Sequence, residues 1–285
     1  MHSIVVIESH VTEGHVGNRA AVPVLQLLGY HVLEVPTVHY TCRVGWPGFA
    51  GMETQPELMT QLLEYVDSRQ PMPVVTGYLG SQFTVDMLVD RASRWVGPLI
   101  VDPVMGDHPG GLYVSPEVAD KMARLVPFAR IVTPNRFEAE YLTGVEIVDD
   151  CSAVAAAAKI GAMGPETVII TSCHREDAQF ARNILWTGEY AVTVTTPLVP
   201  SDRTIYGAGD MFTALVAGLI LQGHSKVDSV QAASGLVTKA IATAWEKNMD
   251  TVDPVGEMLE FLGPLRQGEL RKVSVATNAR VESFD

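Results

Sequence analysis

Short apolar runs recur along the chain, and each ends in a polar cluster. Residues 4–7 run into Glu8-Ser9-His10, 74–76 into Gly77-Tyr78, and 99–101 into Asp102-Pro103. Residues 131–133 run into Pro134-Asn135, and 167–171 into Ser172-Cys173-His174. Runs this short, rich in Val and Ile and without alternation, predict strands covered on both faces. Residues 32–35 make a further strand, while 182–186 and 191–195, joined through Thr187-Gly188-Glu189, predict a hairpin. Between the runs lie helix-periodic segments: 20–28 with Pro23 in an early turn, 57–68, 82–95 capped by Ser81, one entered through Ser115-Pro116, then the alanine-rich 151–163. Segments 209–221, 229–245 and 255–262 close the series. Strand, helix, strand repeated in this way predicts an α/β fold, a mostly parallel central sheet with helices on both faces. Residues 36–54 show no period and are expected to form a long irregular binding loop carrying Tyr40, Arg43, Trp46 and Phe49. Without repeat, linker or low-complexity stretch, residues 1–285 are expected to form one domain.

Composition narrows the class. A hydrophobic fraction of 47% and a charged fraction of 19% fit a globular protein. The formal charge of -13, from 33 acidic and 20 basic residues, argues against a nucleic-acid or anionic-membrane surface. An enclosed anion site remains open, because local donors can hold a phosphate within an acidic protein. Cys42, Cys151 and Cys173 have neither disulfide-framework nor zinc spacing, which fits a reducing compartment. The first residues lack a basic segment and a long apolar core, so no signal peptide is expected, and a cytoplasmic location follows.

The stretch richest in chemistry is Tyr206-Gly207-Ala208-Gly209-Asp210, directly before a helix-periodic run. Two glycines around one alanine leave the backbone N–H groups of 207–210 uncovered. A helix starting there turns those donors and its positive end toward an anion. Asp210 then stands in the first turn, able to deprotonate a hydroxyl beside the held phosphate. Ser9 and His10, Asp102 and Asp107, Thr133 with Asn135 and Glu138, and Thr171 with Ser172 all follow strand runs. In an α/β sheet such ends converge on one rim. Several carboxylates and hydroxyls around one glycine-rich helix entrance suit phosphoryl transfer, where positioning and charge neutralisation dominate. No P-loop, dinucleotide fingerprint, Gly-x-Ser-x-Gly or His-Glu-x-x-His motif occurs. His10 and His15 read as structural hydrogen-bonders, His108 and His174 as loop residues, and Met211, Phe212, Leu215 and Leu219 as a core stripe.

Taken together, Ser9-His10-Val11, Gly14-His15-Val16-Gly17-Asn18-Arg19-Ala20-Ala21, Thr76-Gly77-Tyr78-Leu79-Gly80, Asp102-Pro103-Val104-Met105-Gly106-Asp107, Thr133-Pro134-Asn135 with Glu138, and Gly207-Ala208-Gly209-Asp210 resemble the pyridoxal kinases of the ribokinase-like superfamily. The resemblance covers nearly the whole chain. It implies ATP-dependent phosphorylation of the 5′-hydroxymethyl group of pyridoxal, pyridoxine or pyridoxamine, by a homodimer using Mg²⁺, with a monovalent cation such as K⁺ as a further candidate. Asp210 resembles the catalytic base. Ser9 resembles the residue that hydrogen-bonds the pyridine ring, and Tyr78 one near the substrate. Asp102, Asp107, Asn135 and Glu138 resemble the polar cluster around phosphates and ions, with Asp102 and Glu138 as metal candidates. Thr133, Thr171 and Ser172 resemble phosphate-side hydroxyls, beside the amides of Gly207, Ala208 and Gly209.

One segment departs from the family. Where pyridoxal kinases typically read Val-Gln-Phe-Ser-Asn-His-Thr-Gly-Tyr, this chain reads Val38-His39-Tyr40-Thr41-Cys42-Arg43-Val44-Gly45-Trp46. A hydroxyl is lost at Val44, and Arg43 adds an anion-recognising fork to the acceptor-binding segment. Ile205 and Tyr206 stand where some relatives place a Cys or Lys in a closing flap. Three acceptor readings therefore stay open: a B6 vitamer, another hydroxymethyl heterocycle such as hydroxymethylpyrimidine, or B6 held with little turnover.

Overall fold

The structure is a computed structural model, and it describes residues 2–173, 179–200 and 202–284. In chain order the strands are β1 (Ser3–Val11), β2 (His31–Tyr40), β3 (Gly51–Glu53), β4 (Val74–Thr76), β5 (Leu99–Val101), β6 (Gly106–Asp107), β7 (Gly111–Leu112), β8 (Ile131–Val132), β9 (Thr167–Ile170), β10 (Phe180–Trp186), β11 (Ala191–Pro197) and β12 (Arg280–Ser283). The helices are α1 (Asn18–Leu27), α2 (Pro56–Asp67), α3 (Gln82–Ala92), α4 (Pro116–Ala123), α5 (Arg136–Thr143), α6 (Asp150–Gly161), α7 (Ala208–Leu221), α8 (Lys226–Glu246), α9 (Pro254–Arg266) and α10 (Leu270–Ala276). The main sheet runs β12-β11-β10-β9-β8-β5-β4-β1-β2-β3. Its centre, β9 through β2, is parallel, and both margins are antiparallel. This is the α/β architecture expected from the sequence.

Alternation along each strand assigns the two cores. Ile4, Val6, Val75, Ile100, Ile131 and Ile169 pack with α1, α7, α8, α9 and α10. Val5, Ile7, Val74, Val101, Val132 and Val168 pack with α2 through α6 on the other face. Helix α7 is enclosed on every side, since Met211 through Leu219 are all buried. Met211, Phe212, Leu215 and Leu219 pack in the core as the sequence suggested, and burial extends around the rest of the helix. Among the described residues no helix is long and apolar enough to cross a membrane.

Three boundaries differ from expectation. Strand β1 continues through Ser9 and His10 to Val11, because its neighbour β2 also continues and supplies ladder partners at His39 and Tyr40. The register slips by one residue between Glu8 and His10. Residues 36–54 are not an irregular loop: β2 runs to Tyr40, turns through 41–50, and returns as β3 against Val38–Tyr40. Pro36 is tolerated because β3 does not reach it and no ladder N–H is needed there; its carbonyl accepts the Thr54 hydroxyl at 2.6 Å. The third is β12, whose exposed residues carry no apolar signal and which forms only because β11 offers an edge.

Substituting Leu215→Ala, at a fully enclosed position of α7, is expected to cost about 2–5 kcal/mol. A lowered denaturant midpoint with an unchanged slope would report it.

Candidate active site

Strand order reverses at β1, with β2 on one side and β4 on the other. Beside this point, at the C-terminal ends of the parallel strands, lies a cavity of about 550 Å³. Ser9, Arg43, Val44, Tyr78, Asp102, Asp107, Thr133, Asn135, Glu138, Thr171, Ser172, Gly207, Ala208, Gly209 and Asp210 all contribute to its wall.

The floor follows from the ladder register. Ile7, Thr76, Val101 and Val132 are successive partners across β1, β4, β5 and β8. One residue further on, Glu8, Gly77, Asp102 and Thr133 form a row on the α7 face. Thr213 of α7 locks onto that row: its hydroxyl donates to Asp102 Oδ2 at 3.1 Å. With that proton committed, the Thr133 hydroxyl, 2.8 Å from Thr213 Oγ1, is the donor of the second bond.

Above the row, Gly207 enters α7 with φ of 81°. A Cβ there would fall 1.8 Å from the His15 carbonyl oxygen, so only glycine fits. Asp210 follows in the first helical turn, partly open to the cavity. Burial raises its pKa above the ordinary carboxylate range, while the Gly17 N–H and its own backbone N–H pull it down. Asp102 is also raised, by burial first and then by the charges of Glu138 and Asp210, against the Thr213 hydroxyl. Glu8, which the sequence did not mark as a site residue, is fully enclosed, and neither carboxyl oxygen has a hydrogen-bond partner. Its carboxyl lies over Gly77, where a Cβ would fall 2.7 Å from Glu8 Cδ. Burial, then Asp210 and Asp102, raise its pKa well above normal.

Asn135 and Glu138 form a capping box at α5. Glu138 accepts the Asn135 N–H at 2.8 Å and the Met105 N–H at 2.9 Å. The Asn135 amide donates to Gly106 O at 2.7 Å. The pair thus fixes the segment leading to Asp107, which in turn hydrogen-bonds Tyr113. Burial raises the Glu138 pKa, and these backbone donors oppose it. Each Glu138 oxygen thus clamps one backbone N–H and keeps a further lone pair toward the cavity wall. Among the described residues no group of three or more His, Cys, Asp and Glu side chains could hold an ion by itself. Mg²⁺ does not require such a cage, since it retains waters and binds through one or two carboxylates plus phosphate oxygens. Asp102, and an acid-rich floor where Glu8 has no counter-charge, fit that mode.

Toward the turn 41–50, the Tyr40 and Tyr78 hydroxyls bond one another. Arg43 lies over the Tyr206 ring, 3.4 Å from its centroid, and 5.4 Å from that of Trp46. Ser9 is nearly buried and abuts Gly17, where a Cβ would meet Ser9 Oγ at 2.2 Å. At the other end, Ser172 adopts a left-handed φ of 46°. Its N–H donates to Asn183 Oδ1 at 2.8 Å, and Asn183 Nδ2 donates to Ser234 Oγ at 2.9 Å. Gly235, next in the chain, borders a second cavity of about 320 Å³ between residues 197–200 and α8.

The histidines stay outside this chemistry. His10 Nδ1 is 2.9 Å from Glu34, and His108 Nε2 is 2.6 Å from Glu140. His15 gives its backbone N–H to Thr251, while its enclosed Nδ1 has no partner. His174 lies outside the described residues. Sequence reasoning missed Glu8, Gly17, Tyr113 and Thr213; only Thr213, a hydroxyl inside an otherwise apolar helix, left a usable signal.

Comparison with known proteins places this architecture among ATP-dependent small-molecule kinases of the ribokinase-like fold, which phosphorylate a small hydroxymethyl heterocycle. The sequence model of the family described as phosphomethylpyrimidine kinase matches residues 25–255. Pyridoxal kinase PdxY of Rubrobacter xylanophilus is 33% identical, over 95% of this chain and 98% of its own length. Pyridoxal kinase of Arabidopsis thaliana is 30% identical, over 96% and 92%. The structure of pyridoxal kinase from Leishmania donovani in complex with ADP and pyridoxamine superposes with a TM-score of 0.83, at 26% identity, with both chains covered in full. The chain belongs to the pyridoxal kinase family within the ribokinase-like superfamily.

Two glycine substitutions separate backbone strain from close approach. Gly223 has φ of 90° and open space around its Cβ position, so Gly223→Ala is expected to cost about 1–2 kcal/mol. Gly207→Ala adds the clash with His15 O and is expected to lower the melting temperature further and to abolish most turnover.

Proposed function

We propose that the protein transfers the γ-phosphoryl group of ATP to the 5′-hydroxymethyl group of pyridoxal, and of pyridoxine and pyridoxamine, releasing ADP. The observation that carries this reading is Asp210: a carboxylate in the first turn of α7, tethered by the Gly17 N–H and open to a cavity that also holds hydroxyls and aromatic rings. The pyridoxal kinase relatives support the choice of acceptor.

In this reading the acceptor ring lies among Tyr40, Tyr78 and Val44, with the Ser9 hydroxyl toward its nitrogen. Asp210 takes the hydroxyl proton as the alcohol oxygen bonds to the γ-phosphorus. The bond from that phosphorus to the bridging oxygen breaks, and its electron pair leaves on ADP. The N–H groups of Gly207, Ala208 and Gly209 receive the phosphoryl oxygens at the positive end of α7. Thr133, Thr171 and Ser172 face the remaining phosphates, and the second cavity gives the base and ribose room beside α8. Mg²⁺ held through Asp102 and waters would supply charge neutralisation, with K⁺ a further candidate on the same acidic floor. Residues 1–285 act as one kinase domain, as a cytoplasmic homodimer.

The phosphomethylpyrimidine kinase match and the altered turn at Cys42, Arg43 and Val44 favour a second reading, in which hydroxymethylpyrimidine is the acceptor. An acceptor panel with MgATP separates the two; no transfer to any B6 vitamer would reject the first.

Asp210→Asn is expected to lower kcat about 10²–10⁴-fold while leaving the melting temperature near that of the unaltered protein. The base acts only when ionised, and burial raises its pKa. The rate should therefore fall as pH drops through a value above the usual aspartate range and level off above it. The residual rate of Asp210→Asn should lack this limb.

A further inference from the structure

Arg43 is the only Lys, Arg or His side chain among the described residues lining the main cavity, whose other ionised groups are acidic. Its guanidinium is held in plane. It stacks on Tyr206 at 3.4 Å, and its Nη1 donates to the Val44 carbonyl at 2.7 Å. Its Nε is covered, so it is the guanidinium edge away from that nitrogen that contributes to the cavity wall. Asp102, Glu138 and Asp210 lie at the phosphate end. Arg43 instead sits on the turn between β2 and β3, beside Tyr40 and Val44. A fixed planar fork suits an oxygen anion, and removing it should leave a ligand anion unpaired in a partly dry pocket.

We propose that Arg43 selects acceptors carrying an anionic ring oxygen, a phenolate or carboxylate meta to the hydroxymethyl group that is phosphorylated. The recognition rests on the phosphotransfer reading above and assigns the turn a role that Val44, with no polar side-chain atom, cannot fill. Tyr206 supports the guanidinium from below, and Trp46, which packs near Gly14, holds the turn in place. Lys at the same position would keep the charge but lose the planar fork.

The test compares pyridoxine with 3-deoxypyridoxine, which lacks the acidic ring hydroxyl. Binding is measured by calorimetry without nucleotide, and kcat and KM with MgATP. The unaltered protein is expected to favour pyridoxine roughly ten- to hundredfold, a range set by hydrogen bonds to charged groups, with the difference in Kd and KM rather than kcat. Arg43→Met is expected to bring the ratio near one, and Arg43→Lys to leave an intermediate ratio, each with a cooperative melt. Equal binding of the two acceptors by the unaltered protein overturns the proposal whatever the variants do. An undiminished preference in Arg43→Met overturns it too, as does a loss confined to kcat. If pyridoxine and 3-deoxypyridoxine are phosphorylated equally well, this inference alone falls; if neither is bound or phosphorylated, the B6 reading falls with it.

Discussion

The seating of α7 on the row of strand ends is the constraint on which the rest of the structure depends. Thr213 joins the helix to Asp102 and Thr133 through two hydrogen bonds inside the fold. Gly207 permits the approach by carrying no side chain against His15 O. Together they set the height and tilt of the helix mouth above the sheet, and so the place of Asp210 and the neighbouring amides. The helix dipole and the free N–H groups then act at a fixed point, as a preorganised electrostatic site requires.

The same seating concentrates negative charge. Glu8, Asp102 and Asp210 all lie near the α7 entrance, and burial holds each above its ordinary pKa. Such a cluster is costly without compensating donors or cations. The chain supplies a few donors: the Gly17 N–H to Asp210 and the Thr213 hydroxyl to Asp102. Glu8 has none. This arrangement is one to which cationic compensation adds stability, in keeping with an enzyme class that works with Mg²⁺-bound nucleotide.

Much of the fold was legible because parallel strands covered on both faces leave a strong signature. The uniform runs at 4–7, 74–76, 99–101, 131–133 and 167–171 each became a central strand. The capping box of Asn135 and Glu138 is local and readable as such, although the binding of Met105 and Gly106 to it is not. What stayed hidden depends on distant partners. Strand β3 exists because β2 overruns its apolar stretch, and Glu8 looks like the polar end of a strand until α7 closes over it. Gly17 gives no hint of its contact with Asp210, since sequence spacing says nothing about which loop folds back on which helix.

Because α7 is packed on every face, its mouth has little freedom to follow ligands of different shape. The turn from 41 to 50 stands apart from that core, tied down mainly by the edge-to-face Tyr40 and Phe49 rings, its own short ladder and the buried Cys42. On the acceptor placement proposed above, the hairpin is the adaptable part of the pocket, while Ser9 and Tyr78 stay fixed at the ends of central strands. Evolution can rewrite three neighbouring side chains at its tip and leave the phosphate-handling apparatus untouched, so a lineage of such enzymes can diversify in diet without relearning its chemistry.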